Sequence, residues 1–148
     1  MFRKRHKHVY LAIVVGILIG LSTSVALAST YYGLWSYYGP ILGHSYRNQS
    51  HINSELQAGS RVEVQPSGST VPAGYMGVQA RLYNSSGQLI QSSMWFYNSS
   101  NNALSLDFKM WKPDNLSRGT YYSKGQTSAY NGDGYYVLGT AQSPNVTY

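Results

Sequence analysis

Apolar and polar residues alternate with period two along the second half of this chain, and short turn-forming clusters interrupt the alternation at close intervals. Such a pattern fits strands that bury one face. Between residues 103 and 111, Leu104, Leu106, Phe108 and Met110 fall on one face while Ser105, Asp107 and Lys109 fall on the other. A helix would scatter those four apolar residues around its circumference. Within 75–83, Val78, Ala80 and Leu82 oppose Gln79 and Arg81, and 88–97 resumes after Asn84, Ser85, Ser86 and Gly87, which reads as a β-hairpin. The device recurs where 121–130 and 135–141 flank Asn131, Gly132, Asp133 and Gly134, because Asn-Gly and Asp-Gly supply the positive φ that tight turns demand. Residues 66–74 and 112–119 read as loops, marked by Pro66, Gly68, Pro72, Pro113 and Gly119. Several short strands without a convincing helix predict an all-β fold, a small antiparallel β-sandwich or barrel.

The first 28 residues stand apart. Arg3, Lys4, Arg5 and Lys7 precede an apolar run from Val9 to Leu21, and Ala26, Leu27 and Ala28 end it with small residues at alternate positions. A cationic end, an apolar stretch of about 7 to 15 residues and a small-residue cleavage site define a secretory signal peptide. The run is short of the roughly 20 apolar residues that a spanning helix prefers, so cleavage is expected over anchoring. The chain divides accordingly into a signal peptide at 1–28, an irregular aromatic-rich lead at 29–60 and a β-sandwich domain at 61–148. The lead is broken by Gly33, Gly39, Pro40 and Gly43 and reads as an edge strand, a flap or a flexible arm, with one helical turn admitted at 50–56.

Removing the signal changes the charge argument. The full chain of 148 residues carries a net +6, but residues 29–148 hold seven basic and five acidic side chains, a net of +2. These charges are scattered in sequence, so no nucleic-acid partner is expected. Cysteine is absent, which removes disulfides and thiolate metal sites and suits export from a Gram-positive bacterium, with a core that must be self-sufficient. The Asn-x-Ser/Thr triplets at Asn48, Asn84, Asn98, Asn115 and Asn145 read as turn chemistry in that setting.

Converging catalytic groups are scarce. His44 and His51 are the only imidazoles after the signal, no Gly-x-Ser-x-Gly elbow is present, and no two of Glu55, Glu63, Asp107, Asp114 and Asp133 are paired by spacing. A metal set of His44, His51 and Glu55 would need a helix at 51–55 to bring the last two together. The preferred reading is a protein without catalytic residues, metal or cofactor.

The aromatics are the unusual feature. The chain has fifteen tyrosines, and five aromatics crowd between residues 31 and 38: Tyr31, Tyr32, Trp35, Tyr37 and Tyr38. Tyr and Trp offer a flat apolar body with one polar handle, which suits a binding surface; elsewhere Tyr is simply a good strand residue. With His44 and His51, these five are the candidate binding residues. Gly33-Leu34-Trp35-Ser36-Tyr37-Tyr38-Gly39, then Ser45-Tyr46 between His44 and His51, then Ala73-Gly74 and Phe96-Tyr97-Asn98 resemble, in order, features of lactococcin 972-type bacteriocins over residues 31–98. That resemblance implies a secreted β-sandwich acting from outside on a cell-wall precursor. The chain departs from it by continuing past Asn98 through the Asn131–Gly134 turn, and that later half is similar to small exported proteins of Gram-positive bacteria.

The expectation is therefore a secreted, extracellular, non-enzymatic protein that binds a cell-envelope component, in the manner of a bacteriocin-like antagonist. A surface or matrix module that assembles through strand edges into homo-oligomers is the alternative, and a small wall-polymer hydrolase the third reading.

Overall fold

The computed structural model describes residues 28–148, and the expected signal peptide lies, but for Ala28, outside them. Among the described residues every regular element is a β-strand, as the alternation requires.

The front sheet is built on β3 (His44–Asn53), whose inner face presents Tyr46, Asn48, Ser50 and Ile52, all buried. β4 (Ala58–Gln65) runs antiparallel beside it from Ser45↔Gln65 to Ile52↔Ala58, and β9 (Ser105–Met110) pairs with the far side of β4. The remaining side of β3 is shared by two short strands, β1 (Thr30–Tyr32) against its C-terminal end and β2 (Ser36–Ile41) against its N-terminal half. Residues 29–60 are thus no irregular lead. They supply most of the front sheet, and β4 runs through the boundary expected at residue 61. The reason alternation failed there is that β3 is covered on both faces: Gln49, His51 and Asn53 point outward and are buried too. The helical turn expected at 50–56 is likewise absent. β3 extends to Asn53, whose side-chain oxygen accepts from the N–H groups of Glu55 (3.1 Å) and Gln57 (2.8 Å) and so reverses the chain.

The back sheet consists of four long runs, each broken near its middle. β5 (Met76–Gln79) and β6 (Arg81–Asn84) flank Ala80, and β7 (Leu89–Ser92) and β8 (Phe96–Tyr97) return beside them. β10 (Thr120–Ser123) and β11 (Gln126–Tyr130) form the third run, β12 (Tyr135–Gly139) and β13 (Val146–Thr147) the fourth. One wing has the order β12-β11-β5-β8 and the other β13-β10-β6-β7. Both expected hairpins are present, turning at Asn84–Gly87 and at Asn131–Gly134, where Gly132 has φ 96°. At the bend, backbone bonds still cross between runs: Ser93 N–H to Ala80 (2.9 Å), Lys124 N–H to Arg81 (3.2 Å) and Thr140 N–H to Gly125 (3.0 Å). Serine hydroxyls accept from N–H groups that the ladder no longer serves, Ser93 from Ala80 (3.0 Å) and Ser143 from Ser123 (2.9 Å).

The bend divides the interior. Ile52, Leu56, Leu82, Met110, Tyr121 and Val146 pack on one side; Tyr46, Val62, Val64, Met76, Val78 and Ala129 pack on the other. Phe108 touches both clusters and stacks on Phe96 at 3.8 Å between ring centroids. Truncating one such buried aliphatic to Ala costs about 2 to 5 kcal/mol. A polar seam lies between the clusters. Ser60 Oγ donates to the Gln79 carbonyl (3.0 Å), Ser123 Oγ to the Gly59 carbonyl (3.0 Å) and Asn48 Nδ2 to Thr127 Oγ1 (2.7 Å). The two sheets approach so closely here that a Cβ on Gly125 would overlap Ser60 Oγ and the Gln79 carbonyl.

The Asn-x-Ser/Thr sites separate by role. Asn84 and Asn98 order turns, the latter accepting from Met76 N–H (2.8 Å) and donating to the Pro72 carbonyl (2.8 Å), whereas Asn48 is a buried strand residue of the seam.

Gly125→Ala should destabilise the protein by about 2 to 3 kcal/mol in urea unfolding, since overpacking a closed site costs that order, whereas Gly134→Ala, with open space around its Cβ, should stay within about 0.5 kcal/mol of the parent. Equal stabilities for the two variants would contradict the close approach of the sheets.

Candidate functional site

The outer face of the front sheet gathers the charges that are dispersed in sequence. Strand register sets them in rows: Tyr37 opposite Arg47 and Arg47 opposite Glu63, then Gln49 opposite Arg61 and Arg61 opposite Asp107, then Tyr32 opposite His51 and His51 opposite Gly59. Arg47 Nε (2.7 Å) and Nη2 (2.5 Å) both donate to Glu63 Oε2, while Arg61 Nη2 pairs with Glu63 Oε1. One carboxylate therefore serves two guanidinium groups, leaving a local net charge of +1. The hydrogen bonds to Glu63 push the Arg47 guanidinium above its ordinary value, so its charge is permanent.

Trp35 covers this cluster. The link between β1 and β2 is pinned where Gly33 N–H donates to the Ser50 carbonyl (2.9 Å) and the Gly33 carbonyl accepts from Gln49 Nε2 (2.9 Å). Two residues later the Trp35 ring lies over Arg47, whose guanidinium carbon is 4.2 Å from the ring centroid, with Arg61 at 5.9 Å. Such cation–π contacts contribute on the order of 0.5 to 2 kcal/mol, and here they hold an indole at the surface. Tyr32 and Tyr37 are exposed beside it. A cleft of about 290 Å³ opens along the cluster, walled by Arg47, Arg61, Glu63, Ser67, Leu104 and Ser105.

The seven candidate binding residues do not all share this surface. Tyr32, Trp35 and Tyr37 do; Tyr31, opposite the inward-facing Ile52, is exposed on the other face of that short strand. His51 lies beneath them, only 1% exposed, its ring above Gly59 and 5.6 Å from that of Tyr32, with Nε2 bonded to Asp107 Oδ1 at 2.8 Å. It is a floor for Tyr32 rather than a contact residue. Tyr38 turns the other way, into the sandwich, because the pleat sends neighbours to opposite faces; it stacks on Tyr46 at 5.4 Å and its hydroxyl meets Thr127 Oγ1 at 3.2 Å. His44 stands at the other end of β3, its ring edge-on to Tyr75 at 6.0 Å. Seven residues of strand, about 23 Å, separate it from His51, and Glu55 sits in an exposed turn, so the metal set weighed from the sequence is not assembled. Among the described residues no three His, Asp or Glu side chains are grouped to hold a metal ion. Arg47, Arg61 and Glu63 are the residues that the sequence reading missed; the Arg61-x-Glu63 spacing alone places those two on one face.

No family model, curated protein or solved structure matches the chain.

Burial pushes the Tyr38 hydroxyl from 10.0 up to about 12, against the opposing hydrogen bond to Thr127, and burial pushes Tyr46 likewise to about 12. The folded state keeps protons that the unfolded chain releases above 10, so this contribution is whole below that value and is lost as pH rises through the folded range. The urea midpoint should therefore fall between pH about 10 and about 12, and fall less in Tyr38→Phe, which cannot ionise. An identical decline in parent and variant would contradict the buried position of Tyr38.

Proposed function

We propose that the processed chain is a secreted, non-enzymatic protein that binds a cell-envelope component, acting as a bacteriocin-like antagonist. The observation that carries this reading is the Trp35 indole seated on Arg47 and Arg61, with Tyr32 and Tyr37 exposed around it and a cleft alongside. A cationic cluster under an aromatic plate fits an envelope ligand that pairs an anionic group with an apolar or ring-shaped body. Glu63 occupies part of each guanidinium fork and keeps both planes oriented, so little side-chain freedom remains to be lost on binding. The export signal supports the location, and the resemblance of residues 31–98 to lactococcin 972-type bacteriocins supports the target class.

Assembly into a surface or matrix module is the second reading, and β12 favours it. That strand ends its sheet, is uncharged and exposes Tyr135, Tyr136 and Val137.

A Trp35→Ala, Tyr37→Ala variant should bind envelope preparations from Gram-positive cells at least about tenfold more weakly than the parent in a sedimentation assay, because aromatic anchors dominate small interfaces. Circular dichroism should be unchanged, as neither side chain belongs to the core. Parent-level binding by the variant would contradict the proposed surface.

A further inference from the structure

The outer face of the back sheet carries a second aromatic surface, on the wing β12-β11-β5-β8. Met76, Val78, Phe96 and Ala129 of this wing point into the core, so their strand neighbours point outward. Those neighbours are Tyr97 on β8, Gly77 and Gln79 on β5, Gln126, Ser128 and Tyr130 on β11, and Tyr135 and Val137 on β12. None of them is charged.

Gly77 makes room for the Tyr97 ring on this surface. A Cβ there would collide with Ser128 Oγ and stand 2.8 Å from Tyr97 Cε1, so the Tyr97 ring rests where a side chain would otherwise rise. From that position it crosses the sheet to Tyr135, 4.9 Å away between centroids, although two strands separate β8 from β12. Trp95 continues the surface on one side, stacked on Tyr97 at 6.2 Å and 25°; Tyr130 continues it on the other, 5.7 Å from Tyr135. Two phenols are tied to the backbone, Tyr135 to the Gly74 carbonyl (2.9 Å) and Tyr130 to the Gly132 carbonyl (2.8 Å), so these rings are fixed before any ligand arrives. Tyr97, Tyr135 and Val137 are nonetheless 42%, 41% and 46% exposed.

We propose that this face binds a neutral polysaccharide, with sugar rings laid on Trp95, Tyr97 and Tyr135. The apolar C–H face of a pyranose packs on an aromatic ring, and its hydroxyls need neutral donors and acceptors at the margin, here phenols and the Gln126 amide. The outward residues of these four strands carry no charge, and at the margin Arg81 Nε is engaged by Gln79 Oε1 (3.1 Å), which suits a neutral polymer better than an anionic one. With centroids 6.2 Å apart from Trp95 to Tyr97 and 4.9 Å apart from Tyr97 to Tyr135, the three rings offer length for more than one sugar of a chain, which calls for a polymer rather than a monosaccharide. A second copy of this chain is the other occupant that an aromatic face can take, and the test below separates the two. The site is separate from the front face, and either proposal stands or falls without the other.

Affinity electrophoresis of the purified protein through gels containing a β-glucan, a mannan or a soluble chitin derivative tests it. At least one polymer should retard the parent and the Trp35→Ala, Tyr37→Ala variant equally, while Trp95→Ala, Tyr97→Ala loses at least tenfold in apparent affinity. Val137→Arg, at an exposed position outside both core clusters, should lose retardation as well, which covers the case in which the double variant misfolds. Retardation by none of the three polymers, or retardation unaffected by these substitutions, would overturn the proposal. So would sedimentation showing a dimer that Val137→Arg dissociates, because the face would then be occupied by another copy.

Discussion

The contact on which the fold turns is the polar seam where the two sheets nearly touch. Sandwich sheets normally stand about 10 Å apart with apolar side chains between them. Here Ser60, Ser123 and Gly125 replace that filling, and side-chain hydroxyls donate directly to carbonyls of the facing sheet. Each such bond contributes roughly 1 kcal/mol net, and each carbonyl would cost more if left buried without a donor, so the seam fixes geometry more than it adds stability. The back sheet must bend to meet the front sheet at this line, and all four of its runs break there.

The proposed binding surfaces are the two outer faces that this arrangement creates. On the front sheet, β3 paired on both sides brings Arg47, Arg61 and Glu63 into adjacent rows, and the pinned Gly33 link drops Trp35 over them. On the back sheet, Gly77 leaves room for the Tyr97 ring to reach Tyr135. One face is cationic and aromatic, the other neutral and aromatic. Were both proposals to hold, the second contact with an envelope would be made at high effective concentration.

How much of this could be read from the chain depends on how many faces a strand buries. β9 and β6 bury one face, so period-two alternation discloses them; β11 buries Thr127, Ser128 and Ala129 alike, and its hairpin is disclosed by the turn at Asn131–Gly134. β3 buries both, with polar Asn48 and Ser50 inward and Gln49 and His51 outward, and its pattern vanishes. The aromatic cluster at 31–38 is legible as a cluster but not as a surface. Pleating sends Tyr37 outward and Tyr38 into the core, a division that needs register and not composition. The charge cluster is hidden for the same reason, since Arg47 and Glu63 meet only when β3 and β4 pair.

The seam and Phe108 bridge the two apolar clusters, which predicts one cooperative unit. Native-state hydrogen exchange measures this directly by giving an opening free energy for each amide. Amides of Leu82 and Tyr121, on one side of the bend, and of Val78 and Ala129, on the other, should open with free energies equal within about 1 kcal/mol. Opening of one set more than about 2 kcal/mol below the other, while the rest of the molecule stays closed, would show two independent halves and contradict the account.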